Sequence, residues 1–372
     1  MKTPKNAFLL HGYHSAAYFC DREEELNQLK EHVENERNVV LYSWRRLGKS
    51  ALIKRFMVEE ERKGKIEAVY VDLLATTTTK EAIELIIQAV YEKFGKTKSG
   101  ISATFQRLMG SLGLGMQFDS MTGLPSFSIR MNQQHHSKDS LRSIGKFLND
   151  RKKQIVIAID EFQQICNYEE NAEATFRNFM QEFPMIRFIF SGSHRQMMTS
   201  MFSESKRPFY KSCNLISLDP IPLEKYSPFI QKHFRKIDRK IPADLIESIY
   251  NWARGQTYAI QLVCNRLYGS NLVLNQHSFE KIKNEIIQEE APVFANYFNL
   301  LTKMQWKVIH AIAKEQKVKS PQSQEFIQKY NLGAASSVRV ALNMLMDKEL
   351  VVQENGVYFV HDLLFSRWLE SK

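Results

Sequence analysis

The sequence predicts an α/β fold in three parts. A parallel-sheet core covers 1–222, a helical segment covers 223–300, and a small domain of three helices and a hairpin covers 301–372. Three observations carry this. Residues 39–53, VVLYSWRRLGKSALI, run from an apolar stretch through a turn into Gly48-Lys49-Ser50 and a helical pattern. Residues 154–161, QIVIAIDE, put Asp160 and Glu161 at the end of an unbroken apolar run, the mark of a strand buried on both faces. Near the carboxyl end, LVVQE and VYFVH flank Asn355-Gly356, a type I′ hairpin signal, after three helical patterns.

Taken in order, residues 22–37 form an amphipathic helix with Leu26, Leu29 and Val33 on one face. The strand at 39–42 and a helix to about Lys63 follow. Residues 66–73, IEAVYVDL, read as a second core strand ending in Asp72, and 80–95 return to helical spacing. Strands alternating with helices predict a parallel sheet. Residues 111–131 break the rhythm with Gly-rich alternation around D-S-M-T-G-L-P, which predicts a β-hairpin insertion. It either covers a sheet edge or meets a partner. A helix at 138–150 precedes the Asp160 strand, and a helix at 172–182 follows it. IRFIFSGS at 186–193 and CNLISL at 213–218 supply the last two strands. Helical patterns then occupy 223–236, 242–253, 258–268 and 278–300. The terminal domain has helices at 302–314, 321–330 and 335–348 before its hairpin, the layout of a winged helix.

The turn at 43–51 has the form of a phosphate-binding loop. Its residues are Ser43, Trp44, Arg45, Arg46, Leu47, Gly48, Lys49, Ser50 and Ala51. Backbone N–H groups at a helix start attract phosphate. Lys49 would reach the β/γ-phosphates, and the Ser50 hydroxyl would ligate Mg²⁺. Ser43 stands where the G-x-x-x-x-G-K-[ST] pattern has its first glycine. Asp160 is a second hard oxygen ligand for Mg²⁺, and Glu161 a group to polarise water. Ser191 and Ser193 either sense the γ-phosphate or simply close a strand. Arg45, Arg46 and Arg207 are candidate arginine fingers or plain surface charge; a finger acting in trans would require self-association. On the third helix of the terminal domain, Ser336, Ser337, Arg339 and Asn343 face outward, while Val338, Ala341, Leu342 and Leu345 form its inner face. That outer face reads as a duplex-DNA or a protein-partner surface. From residue 301 onward the balance is ten Lys and Arg against seven Asp and Glu, so charge alone does not choose.

Composition narrows the classes. Net charge is +10, which permits a polyanionic partner without requiring one. No apolar run reaches the ~18 residues that span a bilayer, and AFLL at 7–10 is too short for a secretory core. The expectation is a cytoplasmic protein that does not engage a membrane. The cysteines Cys20, Cys166, Cys213 and Cys264 lack any C-x-x-C spacing, which excludes a zinc ribbon or a disulfide framework. His135-His136 lies in the polar NQQHHSKDS and reads as a surface loop rather than a metal site.

Over nearly its whole length the chain resembles the archaeal-type ATPases of the AAA+/STAND class, which also occur widely in bacteria. YFCDREEEL is similar to the family's F-x-x-R-E-x-E-L segment, which implies that Phe19 and Arg22 lie near an adenine. WRRLGKS resembles its R-R-x-G-K-[ST] loop, with Arg45 and Arg46 as the paired arginines. IAIDEFQQI resembles its Walker B strand, FSGSHRQMM the segment after its sensor strand, RPFYKSCNLISLDPI the stretch into its last core strand, and YFVHDLLFSRWL its wing and closing helix. The lid stretch ARGQTYAIQL departs from related ATPases: Thr257 replaces a proline, and no arginine occupies the lid sensor position. The resemblance implies ATP and ADP as ligands with Mg²⁺, and a switch that couples hydrolysis to the winged helix. The alternative is a non-catalytic module that holds nucleotide as a structural ligand and binds DNA or protein.

Overall fold

Five short strands pair into one parallel sheet. The computed structural model describes residues 3–97, 100–112, 114–118, 125–129, 135–169 and 171–372. The chain divides into two units, His11–Lys225 and Tyr226–Lys372, the second joined by the N-terminal segment up to Leu10. The expected 1–222 core therefore differs in its first residues, which belong with the second unit.

In the first unit, α1 (Glu23–Glu34) leads to β1 (Val39–Tyr42), α2 (Lys49–Arg62), β2 (Ile66–Asp72) and α3 (Thr79–Val90). Two short strands, β3 (Lys96–Thr97) and β4 (Gly100–Ile101), pair with each other before α4 (Ala103–Leu112). The insertion is present as β5 (Leu114–Phe118) and β6 (Pro125–Ile129), an antiparallel pair separate from the main sheet. The expected hairpin began at 111, but α4 runs through Leu112; the turn at 119–124 lies outside the described residues. α5 (His135–Asn149) then leads to β7 (Gln154–Asp160). His135 and His136 thus open a helix rather than sit in the expected loop. α6 (Ala172–Glu182), β8 (Ile186–Gly192), α7 (Arg195–Ser203) and β9 (Asn214–Ser217) complete the unit.

The sheet order is β2-β7-β8-β1-β9, with every pairing parallel. Side chains alternate between its faces. Val39 and Leu41 meet Leu26, Leu29, Leu52, Ile53 and Phe56 from α1 and α2. Val40, Ile157, Phe188 and Phe190 face the other way, toward Ile83, Ile144, Phe176 and Met198 of α3, α5, α6 and α7. The result is a three-layer sandwich, in which full burial of each Leu or Phe stabilises by roughly 1.5–3 kcal/mol. Parallel strands bring the ends of β1, β2, β7 and β8 to one edge of the layer, where ligands of such sheets sit.

The second unit takes in α8 (Leu223–Arg235) from Tyr226 onward, then α9 (Ala243–Trp252), α10 (Thr257–Gly269), α11 (Gln276–Ala295) and α12 (Tyr297–Leu300). The single helix expected over 278–300 is interrupted at Asn296. Thr257 is the first residue of α10, the position at which a helix tolerates proline, so its substitution leaves the helix start intact. Phe8 is fully buried, its ring near those of Phe229, Phe234 and Tyr268. The same segment is tied by Asn6 Nδ2, which donates to the Asn265 carbonyl at 2.9 Å, and by Asn265 Nδ2, which donates to the Phe8 carbonyl at 2.7 Å. The winged-helix portion follows as α13 (Lys303–Glu315), α14 (Gln324–Lys329), α15 (Ala335–Asp347), β10 (Val351–Glu354), β11 (Val357–Val360) and α16 (Leu363–Glu370). Asn355 and Gly356 both have positive φ, 50° and 77°, as a type I′ turn demands. Among the described residues no helix is long and apolar enough to cross a membrane.

Candidate functional site

At the end of β1, the Ser43 N–H donates to the Gly192 carbonyl at 3.4 Å. Ser43 is fully buried, and its hydroxyl donates to the Trp44 carbonyl at 2.8 Å. The left-handed positions of the loop are Arg46 (φ 66°) and Gly48 (φ 97°), not Ser43. A side chain at 43 therefore carries no left-handed strain, and the missing first glycine is no structural defect. Gly48 caps α2, which begins at Lys49 with Ser50 and Ala51 in its first turn. Arg45 and Arg46 are exposed, while Leu47 is buried. The buried Arg22 guanidinium donates to the Leu47 carbonyl at 3.2 Å and pairs with Glu25 at 2.7 Å, so it braces the loop from α1. Phe19 lies beneath the Arg55 guanidinium at 5.1 Å and against Tyr13.

Lys49 is only 5% exposed. Its ammonium donates to two neutral oxygens, Ser43 Oγ at 3.2 Å and the Trp44 carbonyl at 3.4 Å. Burial pushes its pKa below the ordinary lysine value; Glu161 and Asp160 oppose this, and Arg45 adds to it. A buried ammonium bonded to neutral oxygens alone is short of an anion, so the loop fits a phosphate.

Asp160 is buried at the tip of β7, in register with Asp72 of β2. Ser50 Oγ and the Tyr70 hydroxyl donate to its Oδ2 at 2.5 and 2.7 Å. Ser191 Oγ and the Glu161 N–H, the latter at 3.0 Å, donate to Oδ1. A hydroxyl paired with a carboxylate is a hard-oxygen donor set that suits Mg²⁺. Burial and the Asp160 charge push the Tyr70 phenol well above its usual pKa, so it remains a donor. Glu161 follows in a left-handed conformation, φ 52° and ψ 39°, a local strain that non-glycine residues retain chiefly at functional positions. Its carboxylate accepts from Ser193 Oγ at 2.6 Å and from Gln163 Nε2 at 2.5 Å.

The fold thus brings together Ser43, Lys49, Ser50, Asp160, Glu161, Ser191 and Ser193. The two serines each donate to a carboxylate. Arg207 is instead held by Glu173 at 2.7 Å and Cys166 at 3.1 Å. Tyr70 and Gln163 were not singled out by the sequence, and Asp72 was read only as the end of a strand. Burial raises the Asp72 pKa, with Asp160 and Glu161 adding to it, which marks that strand tip as acidic. A Tyr two residues before the end of a core strand, and a Gln two residues after the Asp-Glu pair, were the available signals. In the second unit Ser336, Ser337, Arg339 and Asn343 are all exposed on α15, and Val338, Ala341, Leu342 and Leu345 are all buried. Val340 and Met344 also lie open on α15, 64% and 43% exposed.

Fold and loop define the class: an ATPase-type phosphate-loop α/β domain in a chain that also carries a winged helix. Residues 19–263 match the family described as an ATPase domain predominantly from Archaea, and the chain belongs to that family. Residues 292–371 match a probable winged helix domain. An uncharacterized ATP-binding protein of Methanocaldococcus jannaschii is 29% identical over 159 residues, 42% of this chain. The matched stretch spans 41% of that protein's length. The Walker-type ATPase PABY2304 of Pyrococcus abyssi has a similar fold, with TM-score 0.65, 18% identity and coverage of 98% of this chain and 99% of that one. The Aeropyrum pernix ORC2 protein, solved as ADPNP–ADP complexes, gives TM-score 0.60 at 14% identity over 94% and 92% of the two chains. The Aeropyrum pernix ORC1 protein, solved in complex with DNA, gives 0.52 at 12% identity over 99% and 96%.

Proposed function

We propose that this protein is a Mg²⁺-dependent ATPase that works as a molecular switch, with its winged helix as the output. The observation that carries the reading is the buried Lys49 ammonium beside the Ser50–Asp160 pair, with Glu161 adjoining. In this reading Lys49 and the loop N–H groups of 43–51 hold the β/γ-phosphates. Ser50 and Asp160 would hold Mg²⁺, which supplies charge neutralisation at the phosphate oxygens. Glu161 orients the attacking water and accepts its proton. Phe19 and Arg22 flank the adenine side. Ser191 and Ser193 serve the γ-phosphate indirectly, through the carboxylates they hold. Arg45 and Arg46, being exposed, are the better placed of the candidate fingers. Arg207 would have to leave Glu173 to act as one.

The parts expected from the sequence are retained as proposals: an ATPase core to 222, a helical lid over 223–300, a winged helix from 301, and a cytoplasmic setting. Duplex DNA is the proposed partner of Ser336, Ser337, Arg339 and Asn343, a use that the fold shared with a DNA-bound ORC1 protein makes worth testing. The exposed Val340 and Met344 favour a second reading, a protein partner on the same face.

The test is ATP turnover by purified protein with and without duplex DNA, using Glu161→Gln as control. Turnover lost in the variant while ATP still binds supports the reading. Turnover unchanged in the variant sinks the role of Glu161. Stimulation by DNA that fades with salt supports the DNA partner, whereas indifference to DNA favours protein. No turnover under any condition supports a nucleotide-stabilised binding module instead.

A further inference from the structure

Gln163 sits in the short 3₁₀ turn Phe162–Asn167 that follows Glu161, and it is 5% exposed. Its Nε2 donates to Glu161 Oε2 at 2.5 Å and to Ser193 Oγ at 3.4 Å. Ser193 Oγ donates to that same Oε2 at 2.6 Å. The three groups close a ring of hydrogen bonds on one carboxylate oxygen and leave Oε1 outside it. Gln163 Oε1, by contrast, is buried with no hydrogen-bond partner among the described residues. Buried amide oxygens are nearly always satisfied, so an orphan of this kind calls for a reason.

Gly192 supplies the complementary observation. A Cβ there would lie 2.5 Å from Gln163 Oε1, and equally close to Met198 Cγ and Sδ. The Gln163 amide therefore fills space that only a glycine leaves open. Ser191-Gly192-Ser193 then has one task per residue: Ser191 holds Asp160, Ser193 holds Glu161, and Gly192 admits the amide that also holds Glu161.

We propose that Gln163 is a positioning residue for catalysis, locking the Glu161 carboxylate by Oε2 so that Oε1 is directed at the attacking water, with Gly192 as the space that makes the lock possible. This rests on the reading of Glu161 as the water-orienting group. The strained Glu161 backbone sets where the side chain begins, and the ring of hydrogen bonds sets where it ends. Misorienting a reacting group by about 1 Å can cost about 10²-fold in rate.

The experiment measures kcat, the dissociation constant for ADP, and thermal denaturation of the full chain. Gln163→Met keeps the volume, removes the donor and removes the orphaned oxygen. The expected result is a fall in kcat of about 10- to 100-fold, ADP affinity within about twofold of wild type, and a melting temperature equal or higher. Lower activity with equal or higher stability is an outcome that a merely structural glutamine would not give. Ser193→Ala should lower kcat in the same way, and Ser193→Thr, which restores a hydroxyl, should recover most of it. Gly192→Ala should reproduce the Gln163→Met loss. In a Glu161→Gln background, Gln163→Met should change nothing further, since no carboxylate is left to direct at the water. Wild-type kcat in both Gln163→Met and Ser193→Ala overturns the proposal, and faster turnover in either overturns it by making the ring a brake. Should Gln163→Met fail to fold, Ser193→Ala and its Thr rescue decide alone. Full activity in Glu161→Gln would instead remove the functional reading itself, so the two failures are distinguishable.

Discussion

Replacing Lys49 by methionine keeps the buried stem and deletes the ammonium, and two effects should then separate. In the free protein the ammonium makes two bonds to neutral oxygens, at 3.2 and 3.4 Å. Both are long for charged donors, so together they contribute at most roughly 1.5–3 kcal/mol. Against them stands the cost of burying an ammonium, several kcal/mol, and the lowered pKa shows that desolvation outweighs the attraction of Glu161 and Asp160. The substitution orphans no acceptor, because Ser43 Oγ still donates to the Trp44 carbonyl at 2.8 Å. Ligand-free stability should thus hold or rise by up to ~2 kcal/mol, a few degrees in melting temperature for a domain of this size. Nucleotide stabilisation should behave oppositely. At a ligand concentration of about 100 times Kd, wild type should gain ~2.7 kcal/mol, and the variant almost none. Thermal denaturation with and without Mg·ADP measures both. A ligand-free loss above ~2 kcal/mol would show Lys49 to be a structural cation, and an undiminished nucleotide shift would show that it is not the phosphate ligand.

The same lysine sets a pH dependence. Its pKa in the free protein lies below the ordinary value of 10.5, and phosphate must favour the protonated form. Affinity for ADP should therefore be full at pH values below the depressed pKa and fall as pH rises through it, by up to about tenfold per pH unit. Titration calorimetry from neutral to alkaline pH would show this, and a flat profile up to 10.5 would contradict it. In the second unit, Arg254 bonds Glu370 at 2.8 Å and Arg367 bonds the same carboxylate at 2.6 Å. Burial pushes the Arg254 pKa down to about 10, Arg367 adds to this, and Glu370 opposes it. Glu370→Ala should cost ~2–4 kcal/mol because it leaves two like charges facing each other, whereas Arg254→Ala should cost ~1 kcal/mol because Glu370 keeps a partner. Urea unfolding of the full chain ranks the two, and the reverse order would refute the argument.

Four core strands were legible as short apolar runs stopped by turn or polar residues, and β9, with only Leu215 and Ile216 apolar, by its place before Pro220 and Pro222. Lys49, Ser50 and Asp160 were legible because their motif and strand-end position tie residue type to place. The inner face of α15 followed from helical spacing alone. Other features depended on partners far away in sequence. Tyr70 meets Asp160 only because β2 and β7 pair in register across a ninety-residue separation. Gln163 gains meaning from Gly192, and neither position is unusual by itself. Ser43 looked like a defect because the motif wants glycine, yet the left-handed turns fall at Arg46 and Gly48. Helices α4 and α7 are short, and their buried residues, Phe105 with Leu108 and Met198 with Met201 and Phe202, are too few to establish a period.

The placement of Phe8 has a consequence for how the molecule is made. Its aromatic neighbours begin at Phe229, more than two hundred residues downstream. At ~5–20 residues per second of synthesis, the N-terminal segment waits roughly 10–45 s before its first partner exists. During that interval the apolar AFLL segment lacks these aromatic partners, while His11–Lys225 is translated and has its full sequence only as the interval ends. The order of synthesis and the order of completion are therefore opposite for the two units: the one that includes the segment up to Leu10 is the last to close. A cell making this protein must keep one short hydrophobic segment from misassociating for the length of an entire domain's translation.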